Sequence, residues 1–313
     1  MGVLGVCLVV GIVVSLVVRA HPAYVPGAAL SSPSSDPLTA GTAAASPVSS
    51  PASSPASSAT ASARPSAAAG PHHDPLGTTA ASYLSTRTGT VLAAVYDVNT
   101  GQTWSIGQGK PQDEASVVKL DVLETLLAQR GAGLSANDRT LAQSMIEDSD
   151  NDSATSLWDE VGGASGIRAF NTTARLADTA PSPCVTCAGF PWPGWGLSTT
   201  VPTDQLTLLK ALIGPGPLTK AEREYALSLM ENVTESQRWG VSGGVPAQVT
   251  VALKNGWLPL GSADTDWQIN SVGWISGQGR NYLMAVLSTE NPSEQYGIDT
   301  IDQLAAMVWN GLG

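Results

Sequence analysis

Ser116 and Lys119 stand three apart at the head of an apolar run, Val117, Val118, Leu120, Val122, Leu123, Leu126 and Leu127, that ends near Gln129. On a helix this spacing stacks a hydroxyl and an amine on one face, within reach of each other. The run is too densely apolar for a two-sided surface helix, so burial nearly all round is expected. Burial lowers a lysine pKa toward a range where a neutral amine accepts a proton, and a helix N-terminus stabilises a developing serine alkoxide. The same residues also read as a serine N-cap followed by a lysine that snorkels to water. The pair alone does not decide between a nucleophile with its base and this plainer arrangement.

Histidine usage narrows the chemistry. The chain has three histidines, His21, His72 and His73, all upstream of its foldable part. A Ser-His-Asp triad is therefore excluded, as is a metal held by histidines within that part. A nucleophilic Ser116 would need a lysine or a carboxylate as its base. His72-His73-Asp74 reads as a linker feature, not as a metal site, and neither metal nor cofactor is expected.

Composition divides the 313 residues into three stretches. Residues 1–20 are almost purely Val, Leu, Ile and Gly between Val3 and Val18, and read as a signal peptide or membrane anchor. No basic residue precedes this core and Arg19 follows it, against the usual charge order of an export signal, so a truncated gene start is expected. Cys7 follows Val6 where a lipidation signal wants a small residue, which makes lipidation a weak signal. Residues 21–75, nearly all Ala, Ser, Pro and Thr, cannot bury a core and read as a disordered linker. A linker of this length spans roughly 40 Å if flexible, which suits a domain held in the cell envelope or released outside the cell. Residues 76–313 form one globular domain, expected to be a monomer that meets a membrane only through the N-terminal segment.

The net charge of −11 arises in that domain, because the preceding segment balances Asp36 and Asp74 against Arg19 and Arg64. Such acidity argues against nucleic acid as a partner. Cys184 and Cys187 are the domain's two cysteines. With no further Cys or His to complete a zinc site, a local disulfide stiffening a Pro/Gly-rich loop is the favoured reading of the pair.

Periodicity predicts the elements that must position these residues. A helix over 76–86 precedes two strands, 90–97 and 102–106, joined around Asn99-Thr100-Gly101. The buried helix at Ser116 follows, then helices over 136–147, 152–161 and 166–175. Residues 177–202 are irregular and rich in Pro and Gly; Trp192, Trp195 and the cysteine pair argue for an ordered loop. Helices over 204–213 and 220–232 lead to strands over 249–254, 267–275 and 282–288, and a last helix covers 294–309. Strands at both ends with helices between them predict an α+β domain, one sheet assembled from distant segments around an inserted helical part.

Two further motifs stand at telling places. Ser149-Asp150-Asn151 lies between predicted helices, and Lys254-Asn255-Gly256 ends a predicted strand. Alone, the first is ordinary N-cap chemistry and the second an ordinary turn. In order, S-x-x-K at a helix start, S-D-N between helices and K-x-G on a late strand resemble the three motifs of the class A β-lactamases and penicillin-binding proteins. Two of the chain's five lysines fall in these motifs. The resemblance extends over 76–313, through element order and Thr199-Thr200-Val201-Pro202, and is to a divergent, actinobacterial-type member of this superfamily.

It implies a five-stranded antiparallel sheet flanked by helices, with an all-helical subdomain inserted. By the same resemblance Ser116 is the acylated nucleophile, Lys119 its base, and Ser149 the relay of a proton to the leaving nitrogen. Asn151 would hold a substrate amide and Lys254 would attract a carboxylate. Asn255, Gly256 and Trp257 would line the substrate, with the Ser116 and Trp257 N–H groups as oxyanion hole, and Asp150 would be structural.

Three departures matter. The link from Ser116 to Ser149 is shorter than in class A enzymes. Asn255 replaces a hydroxyl residue, although its amide could still donate to a carboxylate. Class A enzymes carry a glutamate in the loop before Thr-Thr-Val-Pro that activates the deacylating water, but residues 184–200 contain no carboxylate, and Asp178 lies at the wrong end of the loop. The expectation is an exported serine acyl hydrolase acting on a cell-wall peptide or a β-lactam-like amide or ester. The alternatives are an inactive binding module with the same cleft, and a β-lactamase with an atypical deacylation route.

Overall fold

Long apolar runs near the C-terminus supply the middle of the sheet. The computed structural model describes residues 73–260 and 265–313; the leader and linker, apart from the last three linker residues, lie outside them. In chain order the elements open with α1 (Thr78–Leu84), β1 (Thr90–Asp97), β2 (Thr103–Ile106) and β3 (Gln112–Asp113). The helical part contains α2 (Val118–Arg130), α3 (Ala136–Glu147), α4 (Asn151–Glu160) and α5 (Gly163–Ala174). After β4 (Thr199–Thr200) come α6 (Pro202–Ile213) and α7 (Lys220–Glu231), and the chain returns to the sheet with β5 (Thr250–Pro259), β6 (Trp267–Gly277) and β7 (Arg280–Asn291), before α8 (Glu294–Gly311).

The main sheet is antiparallel, ordered β2-β1-β7-β6-β5. Its central strand β7 buries Tyr282 through Leu287 completely, as a strand covered on both faces should. One face packs on α1 and α8, whose Ile301, Leu304, Ala305 and Val308 join the strand residues Val95, Ile269 and Met284 in one core. The other face packs on the helical part, where the α2 leucines, Met145, Leu157, Leu209 and Met230 form a second core. The α+β architecture with an inserted helical part is thus present. Among the described residues no helix is long and apolar enough to cross a membrane.

Three local expectations change. The Ser116 region starts as a tight 3-10 turn, Ala115–Val117, before α2 proper. The strand predicted to stop at Lys254 continues to Pro259, because Asn255 and Gly256 pair with Ser271 and Asn270 of β6 instead of turning. Residues 177–202 are ordered, as expected, but they also contain β4, which pairs with β3 in a small second sheet that spacing did not predict.

Candidate active site

Helix α2 is buried nearly all round, from Val118 to Leu127, and this buries its lysine. Lys119 is 0% exposed, so it does not snorkel, and Ser116 makes no N-cap hydrogen bond. The plainer alternative for the pair therefore fails on both counts. The Lys119 amine, however, is not hydrogen-bonded to Ser116. It contacts the Ser149 carbonyl at 2.5 Å, Ser149 Oγ at 3.0 Å and Asn151 Oδ1 at 2.8 Å. The direct contact that three-residue spacing suggested is replaced by one to the loop between α3 and α4.

Ser149 gathers both motif lysines. Lys254 Nζ donates to the same Ser149 Oγ at 2.9 Å and to the Asn255 carbonyl at 2.9 Å. Ser116, Ser149 and Asn151 line one cleft of about 760 Å3. Three of the four expected catalytic side chains thus meet at a single hydroxyl, and the fourth opens onto the same cavity. Burial lowers the Lys119 pKa to about 7, with Asp150 opposing the shift. Lys254 is held well below the ordinary lysine value, first by burial and then by the neighbouring Lys119 charge. Two amines this close and this dry do not both stay protonated near neutral pH. A neutral Lys119 fits its contacts, with two N–H groups donating to the Ser149 carbonyl and Asn151 Oδ1 and a lone pair left for the Ser149 hydroxyl.

Asp150 has the structural place expected of it. Its carboxylate caps α4 by accepting from Ser153 N at 2.7 Å. Burial raises its pKa, but the Ser153 hydrogen bonds and the Lys119 charge outweigh this and hold it below the usual value. Backbone strain accompanies both serines. Ala115, just before the nucleophile candidate, has φ +50°, and Ser149 itself has φ +57°. Each such non-glycine residue costs about 1–3 kcal/mol and persists only where surrounding contacts impose it. At Ala115 those contacts come from Asn270 of β6, whose Nδ2 donates to the Asp113 and Glu114 carbonyls at 2.8 and 2.9 Å. Sequence reasoning missed Asn270. The available signal was the run Gln268-Ile269-Asn270-Ser271, three polar side chains in a strand that buries both faces.

Gly256 has a steric reason. A Cβ there would lie 2.7 Å from Ser116 N and 2.8 Å from both Glu114 O and Val117 N, all backbone atoms that cannot swing aside. The strand can pass the serine this closely only as glycine, which puts β5 and the neighbouring Trp257 against the Ser116 turn. Gly256→Ala should therefore destabilise the protein by about 1–3 kcal/mol and slow any acylation at Ser116 by about a hundredfold. Thermal unfolding and the labelling rate described below check both.

Asn255 does not have the place expected of it. Its Nδ2 donates to the Gln237 and Trp239 carbonyls at 2.7 and 3.1 Å, and the residue is 0% exposed. Both amide hydrogens are consumed in tying the 235–239 turn to β5, so none is left for a substrate carboxylate. Asn151 remains suited to a substrate amide, since Lys119 occupies its oxygen and its side chain borders the cleft.

The loop over 177–202 closes the site on the side of Lys119. Cys184 and Cys187 form the expected disulfide. Buried Trp195 sets its ring 5.0 Å from Lys119 Nζ and donates from Nε1 to Thr155 Oγ1 at 3.0 Å. An indole, not a carboxylate, is what this loop presents to the amine.

Comparison with known proteins agrees with this geometry. A model of the beta-lactamase enzyme family matches residues 126–312, well over half of the chain. The match begins downstream of Ser116 and Lys119. A Mycobacterium tuberculosis protein, LppW, whose name describes it as a lipoprotein, is 28% identical over 225 residues, 68% of each chain, and its Mycobacterium bovis counterpart matches equally.

Among solved structures, a class A beta-lactamase from Bacteroides cellulosilyticus superposes with TM-score 0.65 at 16% identity, over 76% of this chain and 97% of that one. TLA-1, an extended-spectrum beta-lactamase, gives 0.67 at 17% over 76% and 98%, and PBP-A gives 0.62 at 18% over 73% and 92%. At these identities the likeness is one of fold. With the family model covering β5 to β7, α8 and the helical part from the end of α2 onward, the chain belongs to the beta-lactamase enzyme family and has its class A fold.

Proposed function

We propose that the chain is an exported serine acyl hydrolase that works through an acyl-enzyme on Ser116. The observation that carries this reading is the meeting of Lys119 and Lys254 on the Ser149 hydroxyl, beside Ser116 in one cleft. Neutral Lys119 takes the Ser116 proton as the serine attacks a carbonyl carbon, an alignment completed when substrate fills the cleft. The Ser116 and Trp257 N–H groups receive the oxyanion, and losing one such donor costs about 2.7–4 kcal/mol. Ser149 passes a proton to the leaving nitrogen and is recharged from the lysines it touches. Lys254, held against Ser149 Oγ, would attract a substrate carboxylate when protonated.

The substrate class we infer is a cell-wall peptide or a related amide or ester. An envelope location is supported by the long Ala/Ser/Pro/Thr linker and by relatives named as lipoproteins. With an indole beside Lys119 and no carboxylate over 184–200, a β-lactam should acylate Ser116 and leave slowly. Mass spectrometry after incubation with benzylpenicillin should find a long-lived adduct on Ser116 that Ser116→Ala abolishes. Failure of every β-lactam and every D-Ala-D-Ala ester to label Ser116 would overturn the reading. The absent loop carboxylate favours a second reading, a binding module that holds wall peptide without turnover; it predicts wall binding with no adduct and no loss in Ser116→Ala.

A further inference from the structure

The cleft extends well beyond what chemistry at Ser116 needs. Away from the serine it runs between the 235–239 turn and the first half of α8, past the ends of β5 and β6. Trp192, Trp239, Trp257 and Trp267 line it, none of them fully buried, and Trp195 brings the total to five of the chain's nine tryptophans. A core tryptophan behaves differently: Trp158 is 2% exposed. Trp239 and Trp257 meet edge to face, ring centres 6.0 Å apart and planes 64° apart, which fixes a rigid corner of two aromatic surfaces.

Polar groups are interleaved with the rings. Glu235, Arg238, Glu294 and Asp302 share the same lining. Asp302 is held in place by Gly240 N, which donates to its Oδ1 at 2.5 Å. An acyl chain or a purely apolar side chain would match the rings but strip water from three carboxylates without replacing their hydrogen bonds, a cost of about 1–3 kcal/mol for each group. A pyranose satisfies both. Its C–H face packs on an indole while its hydroxyls donate to carboxylate oxygens. Three carboxylates against one guanidinium also disfavour an acidic ligand.

We propose that this arm of the cleft is a saccharide subsite for neutral or amine-bearing pyranose units, placing the glycan of a wall fragment beside a peptide held at Ser116. As a substrate subsite it rests on the hydrolase reading, but saccharide binding requires no acylation, so the two stand or fall separately. The test is titration of the full-length Ser116→Ala chain with chitotetraose, an uncharged oligomer of N-acetylglucosamine, followed by tryptophan fluorescence and calorimetry.

Saturable binding with a shift in tryptophan emission is expected, weakened about tenfold or more by Trp239→Ala. If that variant does not fold, Glu235→Gln, at an exposed carboxylate of the same arm, carries the same expectation. Absence of chitotetraose binding, or binding that the folded variant leaves unchanged, overturns the subsite. Tighter binding of octanoylglycine in the same arm also overturns it, in favour of an apolar acyl groove. Penicillin labelling of the unmodified chain is read alongside. A labelled chain indifferent to chitotetraose removes the subsite and keeps the hydrolase; an unlabelled chain that binds it does the reverse.

Discussion

Lys119→Met should slow β-lactam acylation of Ser116 by about 10²–10⁴-fold, the range for loss of a positioned general base, while the chain stays folded. Methionine matches the buried aliphatic stem, so α2 keeps its packing, but the proton acceptor is gone. The pH profile separates this from damage to the site. Because burial lowers the Lys119 pKa to about 7, the neutral fraction of the amine rises from pH 6 to pH 8. The acylation rate of the unmodified protein should climb through this window and level off above it, and in the variant the climb should vanish. A variant that is slow yet keeps the same profile would assign the base to another group, with Lys254 the first candidate. A variant that is not slow would end the role proposed for the Ser149 cluster.

The second large effect concerns stability. Around the Ser116 turn, Glu114, Asp121 and Glu124 are at most 1% exposed, and both oxygens of Asp121 and of Glu124 lack a hydrogen-bond partner. No ion pair to them is present among the described residues. Burial raises the pKa of all three. Asp121 moves to about 7, with the Asp204 charge adding to the burial effect and Asn171 opposing it, and Asp121 in turn pushes Glu114 and Glu124 further up. A carboxyl whose folded pKa exceeds its unfolded one holds more protons when folded. Its contribution is therefore complete below the ordinary value near 3.8 and is lost as pH rises through the folded value.

The stability of the unmodified protein should accordingly fall between about pH 4 and pH 7. Asp121→Asn, which keeps the shape and removes the charge, should flatten that fall by an amount on the order of a few kcal/mol. Lys119 acts in the opposite direction: its folded pKa is depressed, so the unfolded chain binds more protons from about pH 7 up to the ordinary value of 10.5, and stability recovers across that range. Thermal unfolding of both chains at a series of pH values should show a shallow minimum near neutrality in the parent. A parent curve that instead rises steadily from pH 4 to pH 7 would mean that these acids ionise at no cost, and would refute the assignment.

The two effects share a cause. Helix α2 is placed deep in the molecule, which desolvates Lys119, and the same burial catches Asp121, Glu124 and Thr125. Asp121 and Glu124 were visible in the sequence as interruptions of the apolar run. Burial nearly all round was expected of the helix, but not that its acids would be buried without partners, which only the packing around it decides.

Local order in the chain determined a good deal. The density of Val and Leu after Ser116 pointed to a buried helix, whereas the choice between a desolvated and a snorkelling Lys119 stayed open until the structure buried the amine. The order of the Ser-x-x-Lys, Ser-Asp-Asn and Lys-x-Gly triplets pointed to the class A fold, and the lack of a carboxylate over 184–200 pointed to slow deacylation. Partner choice was decided only by tertiary structure. Lys119 reaches Ser149 instead of Ser116 because one distant segment, Ser149 to Asn151, brings a carbonyl, a hydroxyl and an amide oxygen around its amine. Asn255 turns to the 235–239 backbone because β5 runs on through it to pair with β6. Spacing dictates which side chains share a face; which atom a buried donor finds is set by the packing of segments distant in the chain, and no periodicity carries that information.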